Sequence, residues 1–105
     1  MKYIELDKTA KNQKFTFSDN GLLLEVTIKT VDNITLMSIS ANGNNIVNSV
    51  KVTGNTPIMK YNYLQQKYGD FVFSTTDNEY PIYSDFNSSN KLYHLSYEEV
   101  KEYNG

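Results

Sequence analysis

The sequence contains no cysteine, which excludes a disulfide framework, a thiolate nucleophile and a thiolate metal site. Such a composition is expected of a protein made in a reducing cytoplasm. No apolar run is long enough to cross a bilayer, and the first residues do not resemble a secretion signal. We therefore expect neither a membrane protein nor a secreted one.

Arginine is absent as well, since all ten basic residues are lysine. Arginine supplies the planar, two-pronged donor that binds phosphates and guanine edges in a bidentate way. The net charge of −2 also creates no field that would attract a polyanion. The sequence therefore does not predict direct recognition of nucleic acid.

The motifs that usually carry catalysis or metal binding are missing too. There is no glycine-rich phosphate loop, no nucleophile elbow and no paired-histidine zinc motif. The single histidine, His94, has no evident nucleophile or metal partner, so we expect it to pack or to face solvent. Asp77, Glu79 and Asp85 lack the spacing of a calcium loop and are interpreted as solvated loop residues. The sequence predicts no enzyme, no cofactor and no metal.

What the chain does contain is a regular alternation of apolar and polar residues between positions 21 and 43. A period of two is typical of strands with one buried face. Asn42-Gly43 ends this stretch with a strong hairpin signal, because both residues tolerate a positive φ. The residues expected to face the core are Leu22, Leu24, Val26 and Ile28. After a turn, Thr35, Met37 and Ile39 are expected to lie on one face of the next strand, with Leu36 and Ser38 on the other.

Shorter patterns predict the rest of the fold. Ser96 and Glu99 form a capping-box pattern, so a short helix is expected after Ser96. We expect a single domain, residues 1–105, that is mainly β. The predicted architecture is a small antiparallel β-barrel or sandwich of six to seven short strands with at most short helical turns. The further strands are expected near residues 3–6, 14–17, 45–52 (with a bulge at Asn48-Ser49), 71–74 and 91–95.

Tyrosine is abundant, with nine residues in the chain. Five of the nine fall in the two least regular stretches, where the strand pattern does not need them for a core. Two interpretations stay open: they cover the end of the fold, or they form a protein interface, where tyrosine is enriched. The candidate interface residues are Tyr61, Tyr63, Tyr68, Tyr80 and Tyr83.

A series of short motifs follows in order from about Asn12 to Leu95. They are Asn12-Gln13-Lys14-Phe15, a hairpin ending at Gly43, Gly69-Asp70-Phe71-Val72-Phe73, Pro81-Ile82-Tyr83-Ser84-Asp85-Phe86 and Lys91-Leu92-Tyr93-His94-Leu95. In this order the motifs resemble the small baseplate plug proteins of contractile-tailed bacteriophages and tail-like bacteriocins. The chain departs from the family pattern at Asp70, which stands where a second glycine is usual.

The resemblance implies a structural subunit at the distal end of a tail tube, with no catalytic residues. Such a protein would be made in the bacterial cytoplasm and would become part of the baseplate in several copies, within a symmetric assembly. Its expected partners are the tail hub, the spike, the tube-end proteins and the C-terminus of the tape measure.

A second interpretation belongs to another functional class. The chain would then be a free-standing ligand- or carbohydrate-binding β domain, in which Tyr61, Tyr63 and Tyr83 stack on sugar rings. Binding to glycans would distinguish it from a baseplate subunit, which binds other proteins.

Overall fold

A computed structural model describes residues 1–76 and 80–104 of the chain. The described residues form two antiparallel sheets, two short α-helices and a 3-10 turn at Tyr83–Asp85. The strands are β1 (Lys2–Ile4), β2 (Gln13–Asp19), β3 (Leu22–Val31), β4 (Ile34–Ala41), β5 (Asn44–Lys51), β6 (Asp70–Ser74) and β7 (Lys91–Leu95), and the helices are α1 (Asn62–Tyr68) and α2 (Tyr97–Asn104).

The larger sheet is a meander in the order β2-β3-β4-β5. Each of its three connections is a two-residue turn, at Asn20-Gly21, Asp32-Asn33 and Asn42-Gly43. Both residues of every turn have a positive φ, between 49° and 84°. Turns of this kind match the twist of the flanking strands, and asparagine, aspartate and glycine tolerate the required backbone conformation. Local turn chemistry thus accounts for the whole connectivity of this sheet.

The alternation along β3 and β4 is confirmed. The side chains of Leu24, Val26 and Ile28 are fully buried, and Leu22 is half-buried against the same core. The intervening Leu23 points to the other face and is 53% exposed. On β4 the face shared by Thr35, Met37 and Ile39 is the buried one.

The predicted bulge in β5 is also confirmed. Val47 is opposite Ile39 and Val50 is opposite Met37, so the register shifts between these pairs. Ser49 takes a positive φ of 50° at this point. Its N–H donates to the Ser38 Oγ at 2.9 Å instead of joining the regular ladder. A bulge bends an edge strand and increases its twist.

The smaller sheet has the order β1-β7-β6 and packs on the same core as the meander. Phe17 of β2 meets Phe71 of β6 with ring centroids 5.7 Å apart. The mainly β class and the antiparallel pairing are therefore confirmed. The barrel alternative is not found in residues 1–76 and 80–104, whose strands form two separate sheets. The outer edge of β6 is instead met by residues 55–58, through Asn55 N–H to the Phe73 carbonyl and Ile58 N–H to the Phe71 carbonyl.

The C-terminal helix α2 begins with the predicted capping box. The Ser96 N–H donates to Glu99 Oε1 at 2.9 Å, and the Glu99 N–H donates to Ser96 Oγ at 3.3 Å. Val100 then packs with Leu95 and Val72 in a small second core on the outer face of the smaller sheet. Docking explains why a helix of eight residues is stable here, since isolated helices of this length are marginal in water.

Candidate protein interface

Two of the candidate tyrosines form an exposed pair at the start of α1. Tyr61 is the residue before the helix and Tyr63 lies in its first turn. Their side chains are 63% and 68% exposed, and the ring centroids lie 5.9 Å apart. The pair therefore offers two broad, amphipathic surfaces next to each other.

The other three candidates lie in different surroundings. Tyr68 and Tyr83 are half-buried and pack against the main core. Tyr80 is exposed, and the Lys51 Nζ lies 4.3 Å from its ring centroid. The structure thus brings together Tyr61 and Tyr63, and it places the other candidates in separate contacts. The helical repeat explains why Tyr68 is separated from Tyr63. Tyr68 lies four residues after Leu64, so both side chains are on the face of α1 that packs on the core.

An apolar groove adjoins Tyr61 and encloses about 420 Å³. One wall is the strand β5, and the other is the segment from Ile58 to Leu64 that leads into α1. A loop separates these two segments, and its path in the folded chain sets the groove, so the strand pattern alone does not predict it. The lining residues are Ile46, Val47, Asn48, Val50, Ile58, Met59, Lys60, Tyr61 and Leu64.

A buried carboxylate holds the second wall in place. Asp70 is fully buried at the start of β6, and its side chain accepts six hydrogen bonds. Gln65 of α1 donates one of them from Nε2 to Oδ2 at 2.8 Å. The other donors are the backbone N–H groups of Ile58 (3.0 Å), Met59 (2.8 and 3.1 Å), Lys60 (3.2 Å) and Phe71 (2.7 Å).

Asp70 therefore links the loop, the helix and the strand around the tyrosine pair. The Tyr61 N–H in turn donates to the Met59 carbonyl at 2.8 Å, which continues this network to the exposed pair. Hydrogen bonds to an ionised acceptor are stronger than neutral ones. Sequence reasoning missed this role, although Asp70 is the position where the chain departs from the usual glycine. Unlike glycine, aspartate has a carboxylate, which here accepts hydrogen bonds from several backbone N–H groups.

The residue before Asp70 must be glycine for a steric reason. Gly69 has a φ of 70°, and a Cβ atom at this position would lie 2.2 Å from the Leu95 carbonyl oxygen. It would also lie 2.9 Å from atoms of the His94 ring. The close approach of α1 to β7 therefore depends on the missing side chain.

His94 is buried in the aromatic part of the core. Its ring lies 4.2 Å from the Phe17 centroid and 5.0 Å from that of Phe71, and its Nε2 is 2.8 Å from the Tyr68 carbonyl. Burial lowers the pKa of His94 below its ordinary value of 6.5, while the Tyr68 carbonyl and the charge of Asp19 oppose this shift. The histidine thus packs, which is one of the two alternatives that the sequence predicts.

This environment predicts a specific loss of stability in acid. The unfolded chain binds a proton at His94 near pH 6.5, whereas the folded protein binds it only at a lower pH. The stability associated with neutral His94 is therefore complete above pH 6.5 and falls as the pH drops toward the lowered pKa. Urea unfolding at pH 7.5 and pH 5 measures the loss. In His94→Gln, which cannot be protonated, we expect a smaller loss than in the parent, and an equal loss would contradict the assignment.

Tyr80 meets the meander through Lys51, the last residue of β5. Lys51, which lies over Tyr80, is directly opposite Leu36 in the ladder. Ile34 precedes Leu36 on the same face and is paired with Val31 at the hairpin end. Val31 is 52% exposed and Ile34 is 37% exposed. Sequence reasoning places Tyr80 in an irregular stretch and does not reveal its contact with Lys51.

Within residues 1–76 and 80–104, no group of three acidic or histidine side chains is placed to hold a metal ion. Asp77 and Glu79 lie outside the described residues, and Asp85 is exposed. None of the helices in the described part of the chain has the length and hydrophobicity needed to span a membrane.

Comparison with known proteins identifies the family. No curated protein matches the sequence. A family model described as the cyanophage baseplate Pam3 plug gp18 matches residues 1–98. This match extends over β1 to β7 and α1 and ends in the first turn of α2. The chain therefore belongs to a family of structural phage proteins, the baseplate plugs.

Proposed function

We infer that the chain is the plug of a contractile tail, in a phage or a tail-like particle. It closes the distal end of the tail tube where the hub and the spike meet. The observation that carries this proposal is the match to the plug family over residues 1–98, which contains both sheets and the tyrosine pair. As a structural subunit, the chain is proposed to have no enzymatic activity. The partners are the hub, spike and tube-end proteins and the end of the tape measure, and several copies enter a symmetric baseplate.

The tyrosine pair is the surface that we assign to these contacts. Tyr61 and Tyr63 expose large ring faces, and tyrosine loses little conformational entropy on binding because it has only two side-chain torsions. The Asp70 network fixes the backbone next to them, which lowers the cost of ordering the surface. Tyr68 and Tyr83 pack against the main core and support the fold rather than this surface. Tyr80 belongs to a separate contact.

Truncation of the exposed pair tests this assignment. We expect Tyr61→Ala or Tyr63→Ala to weaken capture by the hub and tube-end proteins about thirtyfold, or about 2 kcal/mol, as is typical of a central aromatic contact. Co-purification with these proteins gives the measurement. Gln66→Ala is the matched control, because Gln66 is an exposed residue of the same helix. Circular dichroism verifies that each variant folds.

The outcomes separate the assignment of the surface from the function itself. Equal capture of the parent and both tyrosine variants would show that the interface lies elsewhere on the plug. A parent that associates with no tail component would overturn the plug function, and binding to a glycan array would then favour the carbohydrate-binding alternative. We expect little dependence on salt, since the net charge of −2 provides weak long-range steering.

A further inference from the structure

The strand β5 is an open edge of the larger sheet. In the described part of the chain it pairs with β4 alone, and the groove next to Tyr61 runs along its other side. In an antiparallel pair, alternate N–H and C=O groups point away from the partner strand. The outer edge of β5 therefore presents backbone donors and acceptors that an added strand can bind.

The edge of β6 shows how the protein covers a comparable edge. There the backbone of residues 55–58 supplies the hydrogen bonds, at 2.7 Å from Asn55 and 3.1 Å from Ile58. No such segment lies along β5 in residues 1–76 and 80–104. The two edges differ in this respect although both belong to sheets that share one core.

The groove is built to receive side chains from a chain bound at this edge. Its floor and walls are mostly aliphatic, including Ile46 and Val50 of β5 and Leu64 of α1. The opposite wall is rigid, because the N–H groups of Ile58 and Met59 are bound to the Asp70 carboxylate. A preformed apolar wall lowers the entropy cost of binding.

Lys60 is the charged residue among those that line the groove. It is exposed, and its ammonium group forms no ion pair within the described residues. Among the described residues, no aspartate or glutamate lines the groove. An occupant that places a carboxylate near Lys60 would complement this charge.

We propose that β5 binds an extended segment of a baseplate partner, which adds a fifth strand to the sheet, fills the groove with alternate apolar side chains and places an acidic side chain at Lys60. This inference rests on the proposed function, since it describes how the same end of the plug binds its partner. Backbone pairing supplies affinity and the groove supplies specificity, as in other cases of strand addition. Since a strand rises about 3.3 Å per residue, roughly six residues of the partner span the edge from Asn45 to Val50.

Hydrogen exchange gives the direct test. Amide exchange is measured at single-residue resolution in the isolated protein and in the complex with the hub and tube-end proteins. We expect the outward-facing amides between Asn45 and Val50 to exchange on the order of a hundredfold more slowly in the complex. The Ser49 amide is an internal reference, because it already donates to Ser38 in the free protein.

Charge reversal tests the second part of the proposal. Lys60→Glu is expected to weaken capture about tenfold, whereas Lys67→Glu, an exposed lysine of α1 outside the groove, is expected to bind like the parent. Equal capture of all three proteins would overturn the acidic contact.

The outcomes distinguish this inference from the proposed function. A protein that enters the complex while its β5 amides exchange as fast as in isolation would overturn strand addition and leave the plug function standing. A protein that enters no complex would overturn the function itself. Slow exchange at β5 in the isolated protein, together with the mass of a dimer, would assign the edge to a second copy of this chain and overturn the partner segment.

Discussion

Replacement of Asp70 by alanine is expected to lower the free energy of unfolding by about 4 kcal/mol or more. The carboxylate is fully buried and accepts bonds from four backbone N–H groups and the Gln65 amide. Ile58 keeps a second acceptor at the Phe71 carbonyl, but the remaining donors lose theirs. Each buried donor without an acceptor costs about 1–3 kcal/mol. Because small domains are stable by only about 5–15 kcal/mol, the variant is expected to be partly or fully unfolded.

Chemical denaturation of the parent, Asp70→Ala and Asp70→Asn measures this effect. Asparagine keeps one oxygen acceptor and nearly the same shape, but its NH₂ group faces donors, so we expect an intermediate loss. Asp85→Ala is a suitable control, since Asp85 is exposed. Near-parental stability of Asp70→Ala would show that water or a rearranged loop satisfies these donors and that the carboxylate does not hold the groove wall.

The other large effect is expected where a charge enters the main core. Leu24→Asp would place a carboxylate at a fully buried position of β3, within the hydrophobic core. We expect a loss of several kcal/mol and an unfolded protein at room temperature. The neighbouring variant, Leu23→Asp, carries the same change on the opposite face, where the side chain is 53% exposed. This variant is expected to change the free energy of unfolding by less than about 0.5 kcal/mol.

This pair of variants is a direct test of the strand register. Both introduce the same chemical group one residue apart, so differences in propensity and net charge cancel. Thermal melts followed by circular dichroism measure both. A shift of the register by one residue would exchange the two results, because it moves every side chain to the other face.

Local sequence determined much of the meander. Alternation assigned Leu24 and Leu23 to opposite faces, and the Asn42-Gly43 pair identified a hairpin. The bulge near Ser49 and the capping box at Ser96 were also readable from short patterns. These features rest on interactions between residues within a few positions of one another, so the sequence displays them directly.

The candidate surface was only partly predictable. An irregular stretch rich in tyrosine identifies the end of the chain where an interface is expected, but not which rings are exposed. That depends on α1, which turns Tyr63 outward and Tyr68 inward. The sequence pattern assigns no helix to Asn62–Tyr68 and therefore does not predict this division.

By itself, then, the sequence determined which residues form strands, which faces they bury and where the chain turns, because neighbouring residues decide these features. The order of its motifs also determined the family, which the match over residues 1–98 shows. Only the tertiary structure decided that the two sheets stay separate and that a groove opens beside β5. It also decided that Asp70 accepts hydrogen bonds from β6, α1 and residues 58–60. These features depend on segments that meet only after folding. Their geometry follows from packing and from the requirement that buried polar groups find partners, which no local pattern records.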